Sequence, residues 1–302
     1  MATKEEDYVQ TVFTASTHDH ILFFTSKGRV FVRKGYQIPE AGRNARGTNI
    51  VNILPIEISE EGNEKVSAMI AGRGYEEEKY LFFVTRNGTV KRISQAALKN
   101  LRNIGIRAIT LDEGDQLITV IPTDGNENIM IATHNGKAIR FPETDVRVMG
   151  RTAIGVRGIQ LREGDYVIGA GSSAEGEGIL SITEKGFGKR TDVGEYRYQS
   201  RGGYGVTNHR ITEKTGPVAA VRMVRPGEDI LIITDDGTMI RVAVENISQY
   251  GRASQGVRVM RPVAGSRVID IEKTEREEVS ELPEAEISEE ETEAFPEEPT
   301  EE

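Results

Sequence analysis

The sequence predicts an all-β protein, a propeller-like disc of small sheets built by radial repetition. Three observations carry this. The stretch ILSITEKGFGKRTDVGEYRYQSRGGYGVTNHRI, Ile179 to Ile211, has near-copies along most of the 302 residues at a period of about 50. A turn glycine recurs in SKG, RNG, HNG, EKG and DDG at Gly28, Gly88, Gly136, Gly186 and Gly237. A second glycine at Gly47, Gly105, Gly155, Gly205 and Gly256 follows it by 19, 17, 19, 19 and 19 residues. Each copy also has the same content: an apolar strand, a tight turn, a short return strand, a glycine-rich connector and a last strand. An open β-solenoid would need shorter and more uniform repeats, and helix content is expected to be near zero.

The first unit spans residues 8–54. YVQTVFTAS and ILFFTS read as strands, Ser26, Lys27 and Gly28 form the turn, RVFVRK returns, and GTNIVNIL closes the unit after the loop AGRNARG. The strand before each turn is rich in Ile, Leu and Phe, which suits an inner strand buried on both faces. The second unit, 66–111, contains VSAMIAG, YLFFVT, VKRIS and IRAITL, with an acidic loop from Tyr75 to Lys79. Its connector is two residues short and places Leu101 where other copies have Arg, with Arg102 adjacent. The remaining units span 117–161, 166–211 and 218–260. VIDI, Val268 to Ile271, stands where a sixth unit would begin, so it reads as an orphan strand that needs a missing unit or ring closure onto the first.

The net charge of −10 is the sum of two unlike parts. From Glu272 onward, 15 Glu face only Lys273 and Arg276, a net of −13, whereas residues 1–271 carry 36 basic and 33 acidic residues, a net of +3. The body, 1–271, is expected to be the folded domain. The tail, 272–302, is expected to be a disordered acidic extension, because it has too little apolar surface to offset its ordering entropy. Neither Cys nor Trp occurs, which excludes disulfides, thiolate metal sites and cysteine nucleophiles and fits a reducing cytoplasm. No apolar segment approaches the roughly 18 residues needed to span a bilayer, and no signal peptide precedes the body, so a soluble chain without membrane contact is expected.

Basic residues recur at fixed places. After the turn glycine come Arg33 with Lys34, Arg92, Arg140, Arg190 and Arg241; before the second glycine come Arg43, Arg151, Arg201 and Arg252; after it come Arg107, Arg157 and Arg258. Radial repetition places equivalent positions at equivalent places on a disc, so these arginines are expected to form a belt along one edge. Such a belt matches a phosphate backbone. Arg offers a planar fork of donors, and the glycines of the RGGYG loop, Gly202 and Gly203, would let backbone N–H groups approach the same anion. Double-stranded DNA is the expected partner, bound without regard to sequence.

Other constellations are weaker. His18 and His20 have ligand-like spacing without a third ligand, and His134 and His209 lack a Ser or Cys partner motif. No phosphate-binding GxxxxGK[ST] loop occurs, and RGGYG is followed by a strand where a dinucleotide fingerprint needs a helix. Tyr196, Tyr198 and Tyr204 could stack on sugars or bases, although packing is their default role. No catalytic residue, metal or cofactor is expected in this chain.

The runs THDHILFFTSKGRVFVRKGYQIPEAGRNARGTNIVNIL, FPETDVRVMGRTAIGVRGIQL, TEKGFGKRT and YQSRGGYGV closely resemble the family of C-terminal domains of DNA gyrase A subunits, over residues 7 to about 271. The resemblance implies a six-bladed β-pinwheel, a propeller variant with strands exchanged between blades, that wraps DNA around a basic rim. It further implies a larger enzyme in which two A subunits cut and pass DNA and two B subunits hydrolyse ATP with Mg, in a cytoplasmic, chromosome-associated setting. The family's box Gln-Arg-Arg-Gly-Gly-Lys-Gly has only a partial echo here, Gln199 to Gly205, with Ser200 for Arg and Tyr204 for Lys. The chain therefore reads as a monomeric, non-catalytic fragment with five units of six. The C-terminal domain of topoisomerase IV A subunits, which selects DNA geometry, is the alternative within the same family, and a protein-interaction propeller is the alternative outside it.

Overall fold

The first turn glycine closes a hairpin between β1 (His20–Thr25) and β2 (Arg29–Lys34), in register from His20 opposite Lys34 to Phe24 opposite Val30. Gly28 has φ +74°, and a Cβ there would lie 2.8 Å from the Ile109 carbonyl oxygen, so both backbone conformation and a neighbouring unit select glycine. The computed structural model describes residues 14–42, 45, 47–57, 63–72, 78–99, 101 and 104–275. The hairpin does not stand alone. β3 (Val66–Gly72) pairs antiparallel with β1, and the hairpin β4 (Tyr80–Thr85) and β5 (Thr89–Ser94) follows. β6 (Ile106–Arg107) then returns to β2 of the first hairpin, giving a sheet of order β3-β1-β2-β6.

The pattern repeats. β7 (Leu117–Thr123) pairs with β4, the hairpin β8 (Asn128–Thr133) and β9 (Lys137–Pro142) follows, and β10 (Val156–Arg157) returns to β5. β11 (Val167–Ser172) pairs with β8, β12 (Gly178–Thr183) and β13 (Phe187–Asp192) form the fourth hairpin, and β14 (Val206–Thr207) returns to β9. β15 (Val218–Val224) pairs with β12, β16 (Glu228–Thr234) and β17 (Met239–Ala243) form the fifth hairpin, and β18 (Val257–Arg258) returns to β13. β19 (Val268–Glu275) pairs with β16 and completes a fifth, three-stranded sheet. Thus each unit from the second to the fifth sends its short outer strand back to the preceding hairpin.

Adjacent sheets pack face to face. Phe83 turns toward the first sheet and meets Phe24 edge-on at 5.6 Å between ring centroids, while its neighbour Phe82 turns toward the third and lies 6.2 Å from Phe141. Successive strand residues point to opposite faces, so a continuous apolar run is what a blade buried on both sides requires. Blades are also joined near the axis. The amides of Leu117, Val167, Val218 and Val268 donate to the carbonyls of Ser26, Arg86, His134 and Glu184, each in the preceding unit, at 2.9 to 3.0 Å. The first residues of β3, β7, β11, β15 and β19 surround a central cavity of about 400 Å³.

Strand pairing corrects the expected orphan. Val268 to Ile271 begin β19, which lies against β16 rather than awaiting a missing unit, because the strand after each connector folds back onto its own hairpin. β19 also runs to Glu275, so Glu272 to Glu275 are strand and not tail; residues 276–302 lie outside the described residues. GTNIVNIL forms a 3-10 turn at Ile50–Asn52 instead of a closing strand. Its partner would be a hairpin before β1, and none lies among the described residues. The expected strand at residues 8–16 lies largely outside them as well, as do Tyr75 to Glu77 of the acidic loop. No α-helix occurs among the described residues; the helical content is six short 3-10 segments, and no helix is long and apolar enough to cross a membrane.

Candidate nucleic-acid interface

The recurring arginines separate into three sets by what their guanidinium groups touch. The set after the turn glycine is largely structural. Arg92 is buried, bonds the buried Glu143 of the next unit at 3.2 Å, and lies 4.8 Å from the Tyr80 ring. Arg140 donates to the Val193 carbonyl (2.9 Å) and the Tyr198 hydroxyl (2.8 Å), stacking on that ring at 4.2 Å. Arg190 donates from Nε to the Ile247 carbonyl at 2.6 Å. All three reach from one hairpin to the next unit. Arg33 donates to the Ile53 carbonyl at 2.9 Å, and Lys34 reaches His20 Nδ1 at 3.4 Å. Arg241, on the last hairpin, pairs within its own sheet with Asp229 at 2.8 Å. This narrows the expected belt: recurrence at Arg92, Arg140 and Arg190 reflects a repeated clamp between blades, and the buried Arg92 is committed to Glu143.

The set before the second glycine supports the exchanged strands. Arg201 donates to the carbonyls of Asp145 (3.0 Å) and Arg157 (3.2 Å), and Arg252 to that of Thr207 (3.1 Å). Arg151 is half-buried, while Arg43 and Arg102 lie outside the described residues. The glycines of the fourth connector are also engaged. Gly202 has φ +80° and its N–H donates to the Gly158 carbonyl at 2.6 Å, and the Gly203 carbonyl accepts from Gln160 N at 2.8 Å. Gly202 therefore does not offer its amide to an anion.

The third set is exposed. Arg107, Arg157 and Arg258 occupy the second position of β6, β10 and β18, the outermost strands of three of the exchanges, and protrude to solvent. Arg258 lies over the Phe187 ring at 4.5 Å, with Lys214 over the same ring at 5.6 Å. In the remaining exchanged strand the position is Thr207, and the cation moves across the ladder to Lys137, whose Nζ donates to the Thr207 hydroxyl at 3.2 Å. Arg29 faces Arg107 in the same way, tied to Glu57 and Glu64. Sequence reasoning missed Arg29 and Lys137. Their signal was present, since each directly follows a turn glycine, in SKGR and HNGK.

Two further lysines were missed because they are buried. Lys91 and Lys189 have no exposed surface, and burial pushes each ammonium down to about 8. Lys91 Nζ donates to the carbonyls of Ala108 (2.8 Å), Arg151 and Ala153 (3.1 Å), and Lys189 Nζ to those of Gly251 and Arg252, both at 2.7 Å. His209 is buried beside Lys189, accepting from the Ser181 hydroxyl (3.1 Å) and donating to the Gln255 carbonyl (3.1 Å); burial first, then Lys189, push it down to about 4. His134 stacks on Tyr166 at 4.5 Å, and His18 and His20 join no metal-holding group among the described residues. Tyr196 is buried and donates to Asn208, whereas Tyr198 and Tyr204 are exposed.

A sequence profile described as DNA gyrase C-terminal domain, beta-propeller, matches residues 19–71, 79–124, 127–173, 179–225 and 228–276, one match per hairpin with its connector and returning strand. The chain belongs to the DNA gyrase C-terminal domain family. Among curated relatives, the DNA gyrase A subunit of Halalkalibacterium halodurans is 52% identical over 291 residues and that of Clostridium acetobutylicum 43% over 286. The alignments cover 96% and 95% of this chain and 34% of each relative, so the chain spans about a third of their length. Among solved structures, a DNA topoisomerase IV C-terminal domain superimposes with a TM-score of 0.78 at 29% identity, covering 86% of this chain and 80% of that one. A DNA gyrase A C-terminal domain superimposes at 0.72 and 23% identity, covering 85% and 83%, which supports the shared fold. The family's strand exchange is the arrangement seen in β6, β10, β14 and β18.

Proposed function

We propose that this chain binds duplex DNA along the outer edge of its disc and bends it, without catalysing any reaction itself. The observation that carries the reading is the exposed series Arg107, Arg157 and Arg258, set at one structural position on three blades, with Lys137 across from Thr207 in the blade between the last two. Cations repeated along a curved edge suit a continuous phosphate backbone. Each phosphate neutralised releases counterions, and many weak contacts spread the cost of bending. The test is binding to duplexes of about 20 and about 150 base pairs across a salt series. Much tighter binding to the long duplex, with log affinity falling steeply against log salt, is expected. Length-independent or salt-insensitive binding would remove the reading and favour a protein partner.

Within a larger gyrase, bending by this domain would present a DNA segment to the cutting and passing machinery of the A subunits, with ATP and Mg used by other domains and B subunits completing an A2B2 assembly. The relatives' names support that placement. Because Gln199 to Gly205 only partly echoes the family's box, the chain is expected to bend DNA but not to sustain negative supercoiling when joined to a catalytic core that also lacks the box. Supercoiling by that fusion would refute this. The closer superposition on a topoisomerase IV domain favours a second reading, selection of DNA geometry with little wrapping. A linking-number shift in plasmid relaxed in the presence of this chain supports wrapping, and no shift supports selection.

A further inference from the structure

The five hairpins differ at one buried place. Three residues after the turn glycine stand Phe31, Lys91, Ile139, Lys189 and Ile240. Lysine is the anomaly: an ammonium with no exposed surface and no carboxylate bonded to it, in an otherwise apolar position. Burying an unpaired charge is costly unless its donors are met. Here main-chain carbonyls meet them. Lys91 Nζ has three partners for three donors, two of them, Arg151 and Ala153, in the connector of the next unit. Lys189 Nζ takes Gly251 and Arg252 of its next connector.

Both connectors run directly into an exchanged strand. Residues 151–153 precede β10, whose Arg157 lies opposite Thr89, two residues before Lys91 on the same strand. Residues 251–252 precede β18, whose Arg258 lies opposite Phe187, two residues before Lys189. An exchanged strand has only two residues of ladder to hold it, so its placement depends on the connector before it. The connector leading to β14 faces Ile139 instead, and it is held by main-chain bonds, Gly202 N to Gly158 and Gln160 N to Gly203. The second of these bonds recurs in the other two connectors, Thr110 N to Ala153 and Arg210 N to Ser254, so what the lysine connectors lack is the Gly202 amide bond.

We propose that Lys91 and Lys189 are positioning residues of the DNA-facing edge, each anchoring the connector that sets an exposed arginine, Arg157 and Arg258 respectively. The inference rests on the DNA-binding reading for its consequence, though not for the anchoring itself. The charged groups around Lys189 are Glu195, Arg252 and His209; the charged group that bears on Lys91 is Arg151. None is a carboxylate bonded to Nζ, so the carbonyls carry the interaction.

The test uses Lys91→Met and Lys189→Met, which keep chain length and remove the charge. Removing the ammonium leaves the connector carbonyls it served without that donor, so Tm is expected to fall in both variants. Amide hydrogen exchange is expected to accelerate at residues 150–157 in K91M and 250–258 in K189M, while 200–207 stays unchanged in both. Affinity for the long duplex should drop, by no more than in Arg157→Ala for K91M or Arg258→Ala for K189M. Unchanged exchange in the facing connector overturns the anchoring. Faster exchange with unchanged affinity, in a protein that binds DNA, overturns the positioning role. If the unaltered protein binds no duplex, the DNA reading fails and hydrogen exchange still decides the anchoring. Should either variant fail to fold, proton exchange of the lysine Nζ groups of the unaltered protein decides it: two slowly exchanging, hydrogen-bonded ammonium groups are expected, and lysines that all exchange freely overturn the proposal.

Discussion

Arg92 and Glu143 meet at 3.2 Å inside the protein, and neither is free to rearrange. Glu143 also accepts from the Thr123 hydroxyl and from the amides of Gly125 and Glu127, all within 2.9 Å, so its carboxylate is held by three donors besides the arginine. Arg92→Met leaves that carboxylate buried without its cation, and loss of about 3–5 kcal/mol is expected. Urea unfolding measures it. The folded fraction should bind DNA as before, which separates the clamp from the interface.

Arg107, Arg157 and Arg258 should behave in the opposite way. Alanine at an exposed position with no committed hydrogen bond changes stability by about 0.5 kcal/mol or less. The triple variant is expected to weaken DNA binding at every sequence tested and to lower the slope of log affinity against log salt by about one for each phosphate no longer neutralised. A salt titration with filter binding or fluorescence anisotropy reads both numbers, and an unchanged slope would place the DNA elsewhere.

Repetition made the fold legible and partly concealed the site. Glycine spacing fixed the five hairpins, because a positive φ and close backbone neighbours at Gly28 leave no other residue. It could not say which hairpin a strand joins, since β6 pairs across a unit boundary with β2 and nothing in IRAITL marks its partner. Likewise, recurrence told that the arginines matter without telling why. Arg190 and Arg258 both recur in register, yet one donates to the Ile247 carbonyl and the other faces solvent. Lys189 was invisible for the converse reason: a lysine beside Arg190 at the end of a short strand gives no sign that it is buried.

His209 makes stability depend on pH below neutrality. Burial pushes it down to about 4, so the folded protein keeps it neutral while the unfolded chain protonates below about 6.5. The unfolded state thus binds more protons between those values, and stability falls as pH falls through that window. The slope approaches about 1.4 kcal/mol per pH unit for one such group. His209→Gln, which cannot take the proton, is expected to flatten the change between pH 6.5 and 5 by about 1–2 kcal/mol. Unfolding midpoints of the two proteins across that range provide the comparison, and parallel curves would show that the imidazole is accessible to protons in the fold.

Gly256 joins the connector to β18 with φ +69°, and a Cβ there would stand 2.5 Å from the Gly188 carbonyl oxygen. Gly237, at φ +81°, has nothing within 4 Å of a Cβ built in the same way. Alanine at Gly237 therefore adds only the left-handed backbone cost, about 1–2 kcal/mol. Alanine at Gly256 adds that cost and also pushes the connector off the strand beneath it, where backbone rather than a flexible side chain would have to yield. A larger loss of stability is expected at Gly256 than at Gly237, together with weaker binding of long duplex DNA, because the displaced residues carry Arg258. Equal losses at the two glycines, with binding intact, would mean that the exchanged strand tolerates the displacement and that its two ladder residues are not what holds the arginine in place.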